Sequence, residues 1–310
     1  MLSCSVLTYK RQAKVETEGR METIMDIRFP HLGIEIAHLG RSITIGGFSI
    51  AYYGMIIALG MILGFLMASW QAKRTGQNQE LYLDLAVWDI IFAIIGARIY
   101  YVVFSWDYYA KHPGEILNTR GGGLAIYGGV IAGVITTLIF AKIRKQSFLC
   151  LVDTACAGLL VGQIIGRWGN FFNREAFGSY TDGLFAMQIP KDAVAPANIT
   201  HAVNQHLVTI GGTQYIQVHP TFLYESVWNL LVLVIILVAT PHKKYNGQLF
   251  LLYLAGYGLG RFWIEGLRTD QLMLFESGIA VSQLLSGVLF LFAVGMLIFK
   301  AKQTQAKQTQ

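Results

Sequence analysis

Apolar residues in this chain run on for the length of a bilayer crossing. A spanning helix needs about 20 mostly apolar residues, and seven stretches have that character. They run over Phe48–Trp70, Leu81–Phe104, Gly122–Ala141, Phe148–Ile165, Thr221–Thr240, Gly247–Glu265 and Gly278–Phe299. Glycine is frequent within them, as is usual for helices that pack in lipid. Asp153 interrupts the start of the fourth.

The polar positions between these stretches set an orientation. Lys73 and Arg74, then Lys142, Arg144 and Lys145, then Lys243 and Lys244 follow the first, third and fifth stretches, and Lys300, Lys302 and Lys307 follow the last. All four segments share one side. Basic loops stay in the cytoplasm, so the N-terminus is expected outside and the C-terminus inside. The opposite side carries one long segment, from about 166 to 220, too long for a simple connector. Its polar middle, Ser179–Val218, is expected to form a small extracytoplasmic head. The expected fold is therefore an all-α integral membrane bundle of seven transmembrane helices, with a single transmembrane domain over residues 25–300. Residues 1–24 are read as a polar arm or a non-native start, because Met21 and Met25 offer alternative starts and no signal-peptide core is present. The Lys-Gln-Thr-Gln repeat over 301–310 reads as a disordered cytoplasmic tail.

Composition agrees with this picture. Of 310 residues, 54% are hydrophobic and 14% charged, against about 25% charged in soluble domains; mean hydropathy is +0.48. The net charge of +6 would raise nucleic acid as a partner in a soluble protein. Here the basic residues act as topology determinants, so anionic lipid is expected and nucleic acid is not. Cys4, Cys150 and Cys156 form no CxxC pair and no disulfide framework.

Chemistry-bearing residues gather at the outer ends of the predicted helices. Tyr52 and Tyr53 open the first, Arg98 lies near the end of the second, and Tyr127 opens the third. Arg167, Asn170, Asn173 and Glu175 follow the fourth, Tyr224 and Glu225 open the fifth after His219, and Arg261 and Glu265 close the sixth before Arg268 and Asp270. A lone Tyr at a helix end is commonly an aromatic-belt residue, and a lone Arg can snorkel. Arg261 and Glu265, at i and i+4, can simply pair. The dense run from Gly166 to Glu175 is different, because burying such groups is costly unless they pair or bind something. Arginine forks match phosphate oxygens, and asparagine can hold glycerol hydroxyls, so a phospholipid headgroup suits this rim. Asp84, Asp89 and Asp153 fall towards the inner half and read as structural. No HExxH or Cys/His zinc spacing, nucleophile elbow or P-loop occurs.

The run Gly166-Arg167-Trp168-Gly169-Asn170-Phe171-Phe172-Asn173-Arg174-Glu175-Ala176-Phe177-Gly178 resembles the signature of the phosphatidylglycerol–prolipoprotein diacylglyceryl transferases at every fixed position. Tyr52-Tyr53-Gly54, Gly96-Ala97-Arg98, His219 to Glu225, and Arg261 to Glu265 resemble further stretches of that family in the same order. The resemblance covers about Met25 to Phe299. It implies transfer of the diacylglyceryl group of phosphatidylglycerol to the lipobox cysteine of a prolipoprotein signal peptide, with a thioether formed and glycerol phosphate released at the bacterial plasma membrane. It implies no metal and no organic cofactor. By position it implies that Arg167 and Arg261 hold the phosphate. Asn170, Asn173, Glu175 and Gly178 match the signature's polar frame and closing turn. Tyr53 matches an essential tyrosine, Glu265 the acid beside the second arginine, and Arg98 and Arg268 further basic positions.

One position departs from the pattern. Many members have His-Gly-Gly where this chain has Tyr127-Gly128-Gly129. A tyrosine, with an ordinary pKa of about 10, is a poor base for a thiol at about 8.5. Tyr127 is therefore expected to position lipid or thiol, with Glu265 or the leaving phosphate taking the proton. Two other readings start from the same residues. A transporter would place charges at the midplane of discontinuous helices, whereas these crowd one rim. A lipid-binding scaffold would explain the arginines but not the complete signature.

Overall fold

The structure is a computed structural model that describes residues 25–119, 122–273 and 278–308. The chain divides into two compact units. The helical unit comprises 53–169, 223–266 and the described residues from 272 onwards. The β unit comprises the described residues up to 52, 170–222 and 267–271.

Helices α1 (Tyr52–Arg74), α2 (Gln79–Phe104), α3 (Ile126–Ile143), α4 (Phe148–Asn173), α5 (Thr221–Ala239), α6 (Gln248–Glu265) and α7 (Val281–Gln308) correspond in order to the seven apolar stretches. Among the described residues, six segments are long and apolar enough to cross a membrane, and they include every one of these helices except α6. This is the pattern of a multi-pass membrane protein. The α6 segment is diluted by Gly256, Gly258, Gly260 and the Arg261/Glu265 pair. Its glycines have a packing reason. A Cβ at Gly256 would meet the Val232 side chain at 2.8 Å, one at Gly260 would enter the Trp228 indole, and one at Gly258 would meet the Ser286 carbonyl at 2.9 Å. The helix thus gives up hydropathy to let α5 and α7 approach closely.

The cytoplasmic ends expected from the basic loops are tied by the aspartates read as structural. Asp153, fully buried, accepts hydrogen bonds from the backbone N–H groups of Gly247 (2.7 Å) and Phe250 (2.8 Å) and pairs with Lys243 at 3.2 Å. It caps the start of α6 from a neighbouring helix, satisfying donors that a helix N-terminus leaves open. Asp84 pairs with Arg144, and Asp89 accepts the Thr137 hydroxyl at 3.1 Å.

The β unit is where the structure adds most to the sequence reading. The expected head at 179–218 contains a sheet, and its partners come from the start of the chain. Strands β1 (Met25–Phe29), β2 (Ile34–Ala37), β5 (Met187–Pro190), β6 (Val208–Ile210) and β7 (Thr213–Val218) form one antiparallel sheet in the order β2-β1-β5-β7-β6. Strands β3 (Ser42–Ile45) and β4 (Phe48–Ala51) form a separate hairpin. Both two-residue turns are Gly-Gly with positive φ throughout: Gly46 (58°) and Gly47 (83°), then Gly211 (54°) and Gly212 (79°). A hairpin turn whose twist matches its strands requires that backbone. Ile27, Phe29, Ile189, Ile216 and Val218 are buried in the sheet's core.

Two expected boundaries are corrected. Phe48–Ala51 is a strand and not the first turn of α1, because Gly46-Gly47 folds that apolar run back onto Ser42–Ile45. The expected disordered tail continues α7 as helix through Gln308; Lys, Gln and Ala are good helix formers. The polar arm at 1–24 lies outside the described residues.

Candidate functional site

In the helical unit, the signature arginine and the sixth-helix pair meet through a residue the sequence reading left without a role. Arg167 of α4 pairs through Nε with the Glu225 carboxylate of α5. Arg261 of α6 donates from Nη1 to the other Glu225 oxygen at 2.6 Å and pairs through Nη2 with Glu265 on its own helix. Glu265 also accepts the Ser282 hydroxyl of α7 at 2.5 Å. Four helices therefore converge on a row of alternating charge: Arg167, Glu225, Arg261, Glu265. The carboxylates are each 4% exposed. Burial at that level in the absence of partners would be prohibitive. The pairing expected for Arg261 and Glu265 is present, and Glu225 extends it to Arg167.

The signal for Glu225 was in the sequence. It is a single acid one turn into an otherwise apolar spanning helix, a placement that calls for a partner and a function. Its partner choice was not legible, because Arg167 and Arg261 are distant from it along the chain.

Tyr53 and Tyr127 also belong to this unit. Gly169 admits the Tyr53 ring: a Cβ there would meet Tyr53 Cδ2 at 2.7 Å. This gives the small residue of the signature a physical role, since it seats the tyrosine against α4 two residues after Arg167. Tyr127, in the first turn of α3, lies within electrostatic reach of both Arg261 and Glu265.

Arg98 is not placed as expected. Its guanidinium donates to four backbone carbonyls, those of Glu115 (2.7 Å), Ile116 (2.7 Å), Gly122 (3.2 Å) and Gly123 (2.8 Å), and lies over the Tyr109 ring. It is 7% exposed. A fork with five donors and four carbonyls on it is committed to holding the loop between α2 and α3. The resemblance counts Arg98 among headgroup residues; its described hydrogen bonds are with the loop.

The β unit holds the second half of the signature as a self-contained frame. Asn170 and Asn173 both donate their amide N–H to Glu175 Oε1 at 3.1 Å, and the Glu175 backbone N–H closes on the Asn170 carbonyl at 3.1 Å. With the carboxylate fixing the amino side of each amide, the two carbonyl oxygens are turned the other way. Arg174 and Ala176 adopt φ of 56°, a costly backbone for residues with a Cβ. Arg174, buried, is anchored by Asp26 (3.2 Å) and the Leu39 carbonyl.

Gly178 closes the signature for a steric reason. Its N–H bonds the His219 carbonyl at 2.9 Å and it forms an antiparallel bridge with Arg268. A Cβ there would meet His219 Cβ at 2.7 Å and the Leu267 carbonyl at 3.1 Å. Arg268 itself makes a bidentate pair with Asp270, at 2.8 and 2.9 Å. Burial holds the His219 imidazole below its ordinary value.

Comparison with known proteins identifies the relatives of this chain. The sequence model of the family described as Prolipoprotein diacylglyceryl transferase matches residues 41–299. Among similar curated proteins, the phosphatidylglycerol–prolipoprotein diacylglyceryl transferase of Finegoldia magna is 42% identical over 261 residues, covering 84% of this chain and 95% of its own. That of Listeria innocua is 41% identical over 261 residues, covering 84% and 88%. That of Bacillus velezensis is 41% identical over 258 residues, covering 83% and 90%.

Proposed function

This chain belongs to the prolipoprotein diacylglyceryl transferase family, and from that premise we propose how its own residues serve the reaction. It is a membrane transferase that moves the diacylglyceryl group of phosphatidylglycerol to the cysteine thiol of a prolipoprotein, the first step of lipoprotein maturation. The acceptor is the lipobox cysteine of the signal peptide, the membrane is the bacterial plasma membrane, and α6 is the seventh span. The N-terminus is outside and the C-terminus cytoplasmic, as the basic loops require.

The observation that carries the site is the double engagement of Glu225 by Arg167 and Arg261. Two guanidiniums paired with one carboxylate, Arg167 through Nε and Arg261 through Nη1, are equally suited to the oxygens of a phosphodiester. In a site shielded from water they stabilise the charge that builds on the phosphate as the ester C–O bond breaks. Glu265, held by Ser282, keeps Arg261 pointed at that place. Tyr127, within reach of Arg261 and Glu265, and Tyr53, seated on Gly169, serve as positioning groups for lipid or thiol. Asn170, Asn173, Glu175 and Gly178 bind and frame the glycerol headgroup, and Arg268 lends further positive charge, roles that rest on the signature.

The reaction is tested by giving the purified protein a lipobox peptide with phosphatidylglycerol in detergent. The expected product is a peptide heavier by one diacylglyceryl group, blocked at cysteine, with glycerol phosphate released. Equal transfer from phosphatidylethanolamine would refute selection of the phosphatidylglycerol headgroup.

A further inference from the structure

We infer that Glu225 is the proton relay of the transfer: lipid phosphate displaces it from Arg167 and Arg261 and it takes up a proton, which one carboxyl oxygen gives to the departing phosphate as the other takes the proton of the acceptor thiol. This rests on the proposed reaction and names a group that neither the signature nor the Tyr127 position supplies.

The charge balance of the cluster is the first support. Two guanidiniums and two carboxylates, Arg167, Arg261, Glu225 and Glu265, cancel. A phosphodiester brings one further negative charge into a site where carboxylates are almost fully enclosed. Excess charge is expensive in such surroundings, and uptake of one proton by a carboxylate restores the balance.

Geometry selects which carboxylate. Among the described residues, Glu225 forms its ion pairs with the two arginines the phosphate would engage, so lipid competes for them directly. Glu265 keeps the Ser282 hydroxyl at 2.5 Å whatever happens at Arg261. Two phenols also lie near the cluster: Tyr127 from α3, within reach of Arg261 and Glu265, and Tyr257 from α6, within reach of Tyr127. Neither offers a carboxylate's readiness to accept a proton near neutral pH.

The step balances. The thiol S–H bond breaks and its proton goes to one oxygen of the Glu225 carboxyl as the other oxygen gives up the proton taken with the lipid. The sulfur electron pair forms the S–C bond at the glyceryl carbon, and the C–O bond to phosphate breaks with its electron pair on oxygen. Glycerol phosphate leaves with two negative charges, which draw on both arginines. That released proton goes to the departing phosphate, and Glu225 sheds the thiol proton as glycerol phosphate leaves and resumes its ion pairs. The resting cluster is thus a closed form in which a carboxylate fills the phosphate's place.

Calorimetry of phosphatidylglycerol binding to the full-length protein, with no peptide present, tests this in buffers of different ionisation enthalpy. Uptake of about one proton per lipid is expected near neutral pH. Glu225→Gln should abolish that uptake, bind lipid as tightly as the parent or more so, and lower transfer by about 100-fold or more. Glu265→Gln should retain the uptake, and Glu225→Asp should restore part of the transfer. Absence of uptake in the parent overturns the inference even if Glu225→Gln fails to fold. So does unchanged uptake or near-parental transfer in Glu225→Gln. A parent protein that transfers nothing to the peptide would instead overturn the proposed reaction, and this inference with it.

Discussion

Arg261 donates to Glu225 at 2.6 Å across two helices and pairs in the same plane of donors with Glu265 on its own helix. A single planar fork holds two enclosed carboxylates apart, which a lysine's single ammonium cannot reproduce. Arg261→Lys should therefore retain the fold but lower transfer by roughly 100-fold, the scale of losing an oriented charge-stabilising donor. Arg261→Ala leaves two enclosed carboxylates short of a partner and should also cost about 3 kcal/mol of stability. Transfer rates and thermal melts in detergent separate the two effects.

Arg98 predicts the opposite separation. Its hydrogen bonds all reach loop carbonyls, so Arg98→Lys should destabilise the protein by about 2–3 kcal/mol while leaving the KM for phosphatidylglycerol within about twofold in the folded fraction. A raised KM with an unchanged melt would return Arg98 to the headgroup.

Gly178 is held between backbone groups that have nowhere to go. Gly178→Ala places a methyl group 2.7 Å from His219 Cβ and should cost about 1–3 kcal/mol through overpacking. Hydrogen exchange at the Gly178 and Ser179 amides, which bond the His219 and Leu267 carbonyls, should rise in the variant. Unchanged exchange would show that the turn has room.

The seven helices were legible because lipid demands long apolar runs, and no partner has to be known to see one. The sheet was not, because its pairings join Arg28 to Gln188 and Met187 to Val218, and short strands carry little signal until the partner is known. Gly46-Gly47 and Gly211-Gly212 were readable as hairpin turns, and the first of them would have kept Phe48–Ala51 out of α1. At the site, the sequence reading gave roles to Arg167, Arg261 and Glu265 and named Glu225 without one. The family pattern ranked the arginines, while the rule that a lone acid in an apolar helix needs a partner would have pointed to it. The carbonyls that Arg98 meets were not legible, because a loop's carbonyls leave no mark in the sequence.

His219 carries a pH signature. Burial lowers its pKa in the folded protein below the ordinary 6.5. Below that value the unfolded chain binds a proton that the folded one resists, so stability contributed by the neutral ring is present above 6.5 and falls as pH falls towards the folded value. Melts of the parent at pH 7.5 and pH 5 should show this loss, and His219→Asn should reduce it. An equal loss in both proteins would place the pH dependence elsewhere.

The central claim is that Arg167 and Arg261 hold the phosphate of the donor lipid while its ester bond breaks. The most direct measurement is mass-spectrometric transfer to a lipobox peptide by Arg167→Ala beside the parent, with phosphatidylglycerol saturating and folding verified by melt. A loss of about 100-fold or more in kcat is predicted, because the missing charge matters most when the phosphate gains its second negative charge. Transfer by Arg167→Ala at the parental rate would contradict it.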